Sequence, residues 1–182
     1  MKERKLIRNL VYVALGAALI TVCSWISIPM TIPFTLQTFA VCLIAALLGW
    51  RNGLEAVVVY ILLGAVGLPV FSGFKGGIGA LLGMTGGYII GFLFTALVVG
   101  LAADRLGRKI PVLAVSMVLG VLLCYAFGTV WFVRVYTAGK GPITFLSALS
   151  MCVFPYLIPD AVKIALAVFL TGRLRRAIFK DQ

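Results

Sequence analysis

The chain has 182 residues, 63% of them hydrophobic and 12% charged, with a mean hydropathy of +1.16. This composition lies outside the soluble globular range and marks a polytopic membrane protein. A formal charge of +11 would suggest nucleic acid in a soluble chain. Here the basic residues gather at the ends of apolar runs, as the positive-inside rule requires, which argues against a nucleic-acid partner.

A basic start (Lys2, Arg4, Lys5, Arg8) leads into an apolar run over residues 6–28. The run is longer than a signal-peptide core and has no clean cleavage site, so it predicts the first spanning helix. Pro29, Pro33 and Thr35 end it in an extracellular turn. A second helix over 36–50 is short and should start below the outer surface. Arg51-Asn52-Gly53 predicts a tight cytoplasmic turn, and a third helix over 54–67 stops at Leu68-Pro69. Residues 70–79 (VFSGFKGGIG) are too glycine-rich to cross lipid, where irregular backbone survives only buried in protein or lining a cavity. Helix four is expected over 80–103, a charged cytoplasmic loop over 104–109, and helix five over 112–136. After a polar turn at 137–142, an apolar segment over 143–154 is too short to span and should dip in from outside. The last helix covers 155–176.

Six spans put both termini on one side. Twelve basic residues fall on that side, among them Arg51, Arg105, Arg108, Lys109, Arg173, Arg175 and Arg176, whereas the opposite side has Lys75, Arg134 and Lys140. Both termini are therefore expected in the cytoplasm. The predicted fold is an all-α integral membrane protein, one six-helix domain over residues 1–182, with irregular extracellular loops capping a pocket.

Within this apolar chain, Pro159-Asp160-Ala161-Val162-Lys163 stands out. Pro159 suits the first turn of a helix, so Asp160 falls near the positive end of the helix dipole. Lys163, three residues on, shares its face. At about 1.5 Å per residue, Asp160 lies roughly 20 Å above the basic edge at Arg173–Arg176, within a hydrocarbon core about 30 Å thick. Charges at that depth are costly and mark a functional site unless they only neutralise each other.

Other candidates surround this pair. Gln37 and Thr38 open helix two, and Thr85 and Tyr88 lie near the outer end of helix four, while Phe34, Phe71, Phe74 and Tyr156 offer aromatic walls of the kind small-molecule pockets favour. Gly83, Gly87 and Gly91 form a stripe read as helix packing. Lys75 precedes a glycine pair with no Ser or Thr after it, so a phosphate-cradling loop is not expected. Arg51 and Glu55 have the spacing of an interfacial ion pair. Ala14 and Ala18 give helix one a small-residue face that suits packing within the bundle or against another membrane protein. Cys23, Cys42, Cys124 and Cys152 stand apart and there is no histidine, so neither disulfides, a metal site nor a hydrolytic centre is expected.

The order of Pro33-Phe34-Thr35-Leu36-Gln37-Thr38, Gly67-Leu68-Pro69-Val70-Phe71, Thr85-Gly86-Gly87-Tyr88 and Pro159-Asp160-Ala161-Val162-Lys163 resembles the BioY family, the biotin-specific substrate-capture components of energy-coupling factor (ECF) transporters. One departure is Met84, where the family pattern has proline. The resemblance implies a substrate-binding subunit rather than an enzyme, taking biotin near the outer face with Asp160 and Lys163 in its site. It also implies docking through Ala14 and Ala18 on a transmembrane coupling subunit that works with ATP-binding subunits, in the lipid of a prokaryotic plasma membrane, without a cofactor. The expected substrate-binding set is Asp160, Lys163, Tyr88, Thr85, Gly86, Gln37, Thr38 and Phe71, with Trp25 or Tyr156 as further wall.

The chemistry agrees with biotin, which carries a ureido group at one end and a carboxylate at the other. Asp160 can accept from a ureido N–H, and Lys163 can donate to either oxygen end. Three alternatives stand beside this reading: capture of another vitamin such as thiamine or riboflavin, a lipid-modifying membrane enzyme using Asp160 as a base, and a purely structural or assembly subunit.

Overall fold

In a computed structural model describing residues 2–178, the chain forms α1 (Lys2–Trp25), β1 (Ser27–Ile28), β2 (Phe34–Thr35), α2 (Gln37–Ala65), α3 (Ile78–Leu82), α4 (Gly86–Arg105), α5 (Ile110–Lys140), α6 (Phe145–Cys152), a 3-10 turn (Phe154–Tyr156) and α7 (Leu157–Ile178). Five helical stretches are long and apolar enough to cross a membrane. One of them, α2, is two helices folded back on each other, so six helices build the bundle.

The reversal in α2 falls at Gly49, whose backbone is non-helical (φ 79°, ψ −177°). In one continuous helix, residues 45 and 53 would lie about 12 Å apart. Here a Cβ on Gly53 would come within 2.8 Å of the Ala45 Cα. The turn thus precedes the expected Arg51-Asn52-Gly53, which opens the second arm instead. Glycine is required at 49 twice over: φ is left-handed, and a Cβ would stand 2.3 Å from an Asp104 carboxylate oxygen. That carboxylate accepts from the Trp50 N–H (2.9 Å), one of the donors freed at a helix start. Arg108 pairs with Asp104 (2.9 Å) and donates from Nε to the Ala46 carbonyl (2.7 Å). The hairpin tip is thereby clamped from the α4–α5 loop. Arg51 lies over the Trp50 ring at 5.2 Å, and the ion pair expected with Glu55 does not form.

The arm over 37–48 rises roughly 18 Å, short of a full hydrocarbon core, in keeping with a start below the outer surface. Helix four is broken: α3 ends at Leu82, and α4 begins at Gly86 after Gly83-Met84-Thr85. Gly83 therefore leaves the expected stripe, and its carbonyl accepts from Trp131 Nε1 (3.0 Å). Gly87 and Gly91 do pack closely on α5, where added Cβ atoms would meet Trp131 at 2.3 Å and Cys124 Sγ at 2.8 Å. Apolar side chains of α1 and α5, such as Leu10, Leu15, Leu119 and Leu122, are exposed, as lipid-facing residues must be.

Two segments roof the bundle. The turn after α1 contains the two-residue antiparallel pair β1–β2, which the proline-rich sequence there concealed. After α2, Phe71 and Lys75 exchange backbone hydrogen bonds (2.9 and 3.3 Å) across a tight hairpin with Gly73 and Phe74 at positive φ. Phe74 is unusual at φ 56°, and its ring stacks on Trp25 at 5.2 Å. Trp25 Nε1 donates to the Pro69 carbonyl (2.8 Å) and Ser24 Oγ to that of Val70, so this hairpin is tied to the outer end of α1.

Candidate functional site

Beneath the roof lies a cavity with about 850 Å³ of space free of protein atoms, mouth included. Asp160 and Lys163 reach it from the first two turns of α7, whose start is set by Pro155 and by Tyr156, whose hydroxyl donates to the Ile32 carbonyl. Lys163 Nζ donates to Asp160 Oδ1 at 2.7 Å, and the two residues are 4% and 5% exposed. The Tyr125 hydroxyl donates to the other carboxylate oxygen, Oδ2. On the far side of Lys163, the Phe34 ring centroid lies 3.9 Å from Nζ, within cation–π range.

Donor and acceptor counting shows what this group can still do. A carboxylate offers about four acceptor positions, and one on each oxygen is used, so Asp160 can take further N–H donors. Lys163 has three donors and gives one to Asp160. The pair is neutral overall yet keeps both donor and acceptor capacity facing the cavity. This suits binding a polar group.

Gln37 is held in one orientation. Its side-chain oxygen accepts from Thr35 Oγ1 (2.9 Å), and its amide nitrogen donates to the Tyr60 hydroxyl. Tyr88 bonds Thr129 through its hydroxyl (3.1 Å). Phe71 fills a slot that exists because residue 64 is glycine, since a Cβ there would stand 1.9 Å from the ring. Thr38 and Thr85 also face the cavity, so seven of the eight expected residues line it. Gly86 does not: it packs on the Leu81 backbone, where a Cβ would meet the carbonyl oxygen at 1.6 Å. Tyr156 is in the wall, whereas Trp25 is outside it, beneath Phe74.

Three participants escaped the sequence reading. Tyr125 lies in the longest apolar run, and the signal for it is general, because a buried tyrosine hydroxyl needs a partner. Tyr60 is similar, as the partner of Gln37. Lys75 entered only the topology count and the rejected phosphate-loop reading, yet it lines the cavity at the roof hairpin. No buried side-chain nitrogen or oxygen among the described residues lacks a partner, and none of their His, Cys, Asp and Glu side chains form a metal-holding group of three.

Of the small residues on α1, Ala14 and Ala18 are exposed, as a docking face would need, while Gly16 and Ala17 turn into the bundle. A Cβ on Gly16 would meet Ala56 at 2.9 Å.

Comparison with known proteins gives a consistent result. The chain is 41% identical over 170 residues to the biotin transporter BioY of Thermotoga maritima, covering 93% of this chain and 96% of that one. It is 38% identical over 164 residues to the probable biotin transporter BioY of Pyrococcus horikoshii, covering 90% and 93%. The crystal structure of the S-component for biotin from an ECF-type ABC transporter superposes with a TM-score of 0.86 at 27% identity, over 97% of this chain and 95% of that one. The model of the BioY family matches residues 1–180, and with the six-helix bundle and its roofed cavity already described, the chain belongs to the BioY family.

Proposed function

We propose that this chain is the biotin-capturing S component of an ECF-type uptake transporter, binding biotin in the roofed cavity and delivering it inward when an ATP-driven module engages it. The observation that carries this reading is the buried Asp160–Lys163 pair with Tyr125 on its second oxygen, at a cavity otherwise walled by aromatic and aliphatic groups. Such a group recognises a compact polar ring through fixed donors and acceptors and leaves an aliphatic tail to the apolar wall. The ureido group of biotin meets Asp160 and Lys163, the bicycle lies against Phe71 and Tyr88, and Gln37, Thr38 and Thr85 bound the sides. The exposed Ala14–Ala18 face lets another helix approach α1 closely, which supports docking of the coupling subunit there.

The test is calorimetric titration of biotin into the purified protein in detergent, with desthiobiotin, thiamine and the Asp160→Asn variant for comparison. One-site binding of biotin that weakens at least tenfold in the variant is expected. A folded protein that gives no heat with biotin, or that binds thiamine better, overturns the reading.

A further inference from the structure

At the opposite end of the bundle, two open clefts, of about 700 and 1150 Å³ with the solvent at their mouths included, share Arg108 and Arg175. Arg108 comes from the α4–α5 loop, Lys109 directly precedes α5, and Arg175 and Arg176 lie in the last turn of α7, so separate chain segments bring four cations to one place. Topology alone needs basic residues near the ends of spans and does not need them to converge. Arg108 is engaged by Asp104 and by the Ala46 and Ala103 carbonyls, which leaves one N–H free on each terminal nitrogen of its guanidinium, whereas Lys109, Arg175 and Arg176 make no ion pair among the described residues. No side chain caps the start of α5, so its positive helix end adds to the same field. Arg8, Asn9, Tyr12 and Asn52 add polar side chains to the walls of the smaller cleft, and Thr171 adds one to the larger.

This arrangement calls for an anion with more than one charge. Arginine binds phosphate through paired N–H groups, and basic pockets between helices at the cytoplasmic face suit phospholipid headgroups. Two clefts meeting at a shared arginine pair match two phosphates joined by a short linker. The apolar surfaces that flank the clefts point to a lipid rather than a free anion: Val115, Leu119 and Leu122 on α5 and Leu166 and Phe169 on α7 are exposed and can lie along acyl chains.

We propose that this cleft is a binding site for an anionic phospholipid carrying two phosphodiester groups, with Arg108, Lys109, Arg175 and Arg176 as its headgroup contacts. The lipid would pin the start of α5 to the end of α7, the helix whose other end carries Asp160 and Lys163.

The test uses delipidated full-length protein in neutral detergent, followed by native mass spectrometry and thermal unfolding. The probes are cardiolipin, phosphatidylglycerol, phosphatidylcholine and inorganic pyrophosphate. One retained cardiolipin and a rise in Tm of about 5 °C are expected, with less from phosphatidylglycerol and none from phosphatidylcholine. Lys109→Gln with Arg175→Gln should lose at least tenfold in cardiolipin affinity while keeping the lipid-free Tm and elution volume. Arg175→Lys, which keeps the charge and loses the fork, should fall between them and serves if the double variant does not fold. Equal gain from phosphatidylcholine, an unchanged response in the variants, or equal effects of phosphatidylglycerol and cardiolipin would overturn the proposal. Binding of pyrophosphate alone with the same Tm rise would make this a soluble-anion site and overturn the lipid assignment.

Discussion

Removing the charge of Asp160 separates what the buried pair does for the fold from what it does for a ligand. In Asp160→Asn, the ammonium of Lys163, which is 4% exposed, keeps only the Phe34 ring and a neutral amide beside it. Breaking a buried pair from one side costs about 3–5 kcal/mol, because the remaining charge stays buried without its partner. Removing both charges behaves differently. Asp160→Leu with Lys163→Met leaves no orphaned ion, but it strips the Tyr125 hydroxyl of its acceptor, at about 1–3 kcal/mol. Adding Tyr125→Phe removes that cost as well, so the triple variant should return to within about 1–2 kcal/mol of the parent. Biotin binding should not return with it. Hydrogen bonds to charged groups contribute about 1.5–3 kcal/mol each, and losing two of them weakens binding at least about 100-fold. The assay pairs reversible unfolding in mixed micelles with calorimetric biotin titration on the same preparations. If the triple variant binds biotin within threefold of the parent, the pair is structural and the site assignment fails. If it is as unstable as Asp160→Asn, the pair is not self-contained and the reasoning from buried charge fails.

Three further outcomes follow from the geometry. Gly64→Ala should displace Phe71, whose ring would lie 1.9 Å from the new methyl, lowering stability by about 1–3 kcal/mol and weakening biotin binding; unchanged calorimetry would refute the slot. Lys75→Met removes the cavity-lining cation that makes no ion pair among the described residues, and should cost biotin roughly fivefold while leaving biotinamide unaffected, a difference that shrinks in high salt. Ala14→Trp with Ala18→Trp places bulk on the exposed face of α1 and should abolish copurification with the coupling subunit without altering biotin affinity; intact copurification would move the docking surface elsewhere.

Features that depend on local chemistry were legible in the chain. Long apolar runs predicted the spans, and a proline followed by an aspartate and a lysine three residues apart predicted the pair on one helix face. What escaped depends on contacts between distant segments. Arg51-Asn52-Gly53 has the composition of a turn, yet the reversal is at Gly49, because Asp104 from another helix occupies the space a side chain would need. Gly83 fits a four-residue stripe, yet the helix breaks there and its carbonyl turns to Trp131. Trp25 has the chemistry of a pocket wall, but its indole N–H is taken by Pro69. Tyr125 is one aromatic among many in an apolar run, and only the fold sets it on Asp160.

The tie between α1 and the roof has a mechanical consequence. Ser24 and Trp25 hold the carbonyls of Val70 and Pro69, and Phe74 rests on the Trp25 ring. Phe71 and Lys75, a few residues along the same hairpin, form part of the cavity wall. A tilt of α1 that keeps these bonds drags the wall with it, like a hinge pin bolted to its door. If a coupling subunit docks on Ala14 and Ala18, the helix it grips is therefore also the handle of the cavity roof, joined to it by two side-chain hydrogen bonds and one stacked ring pair.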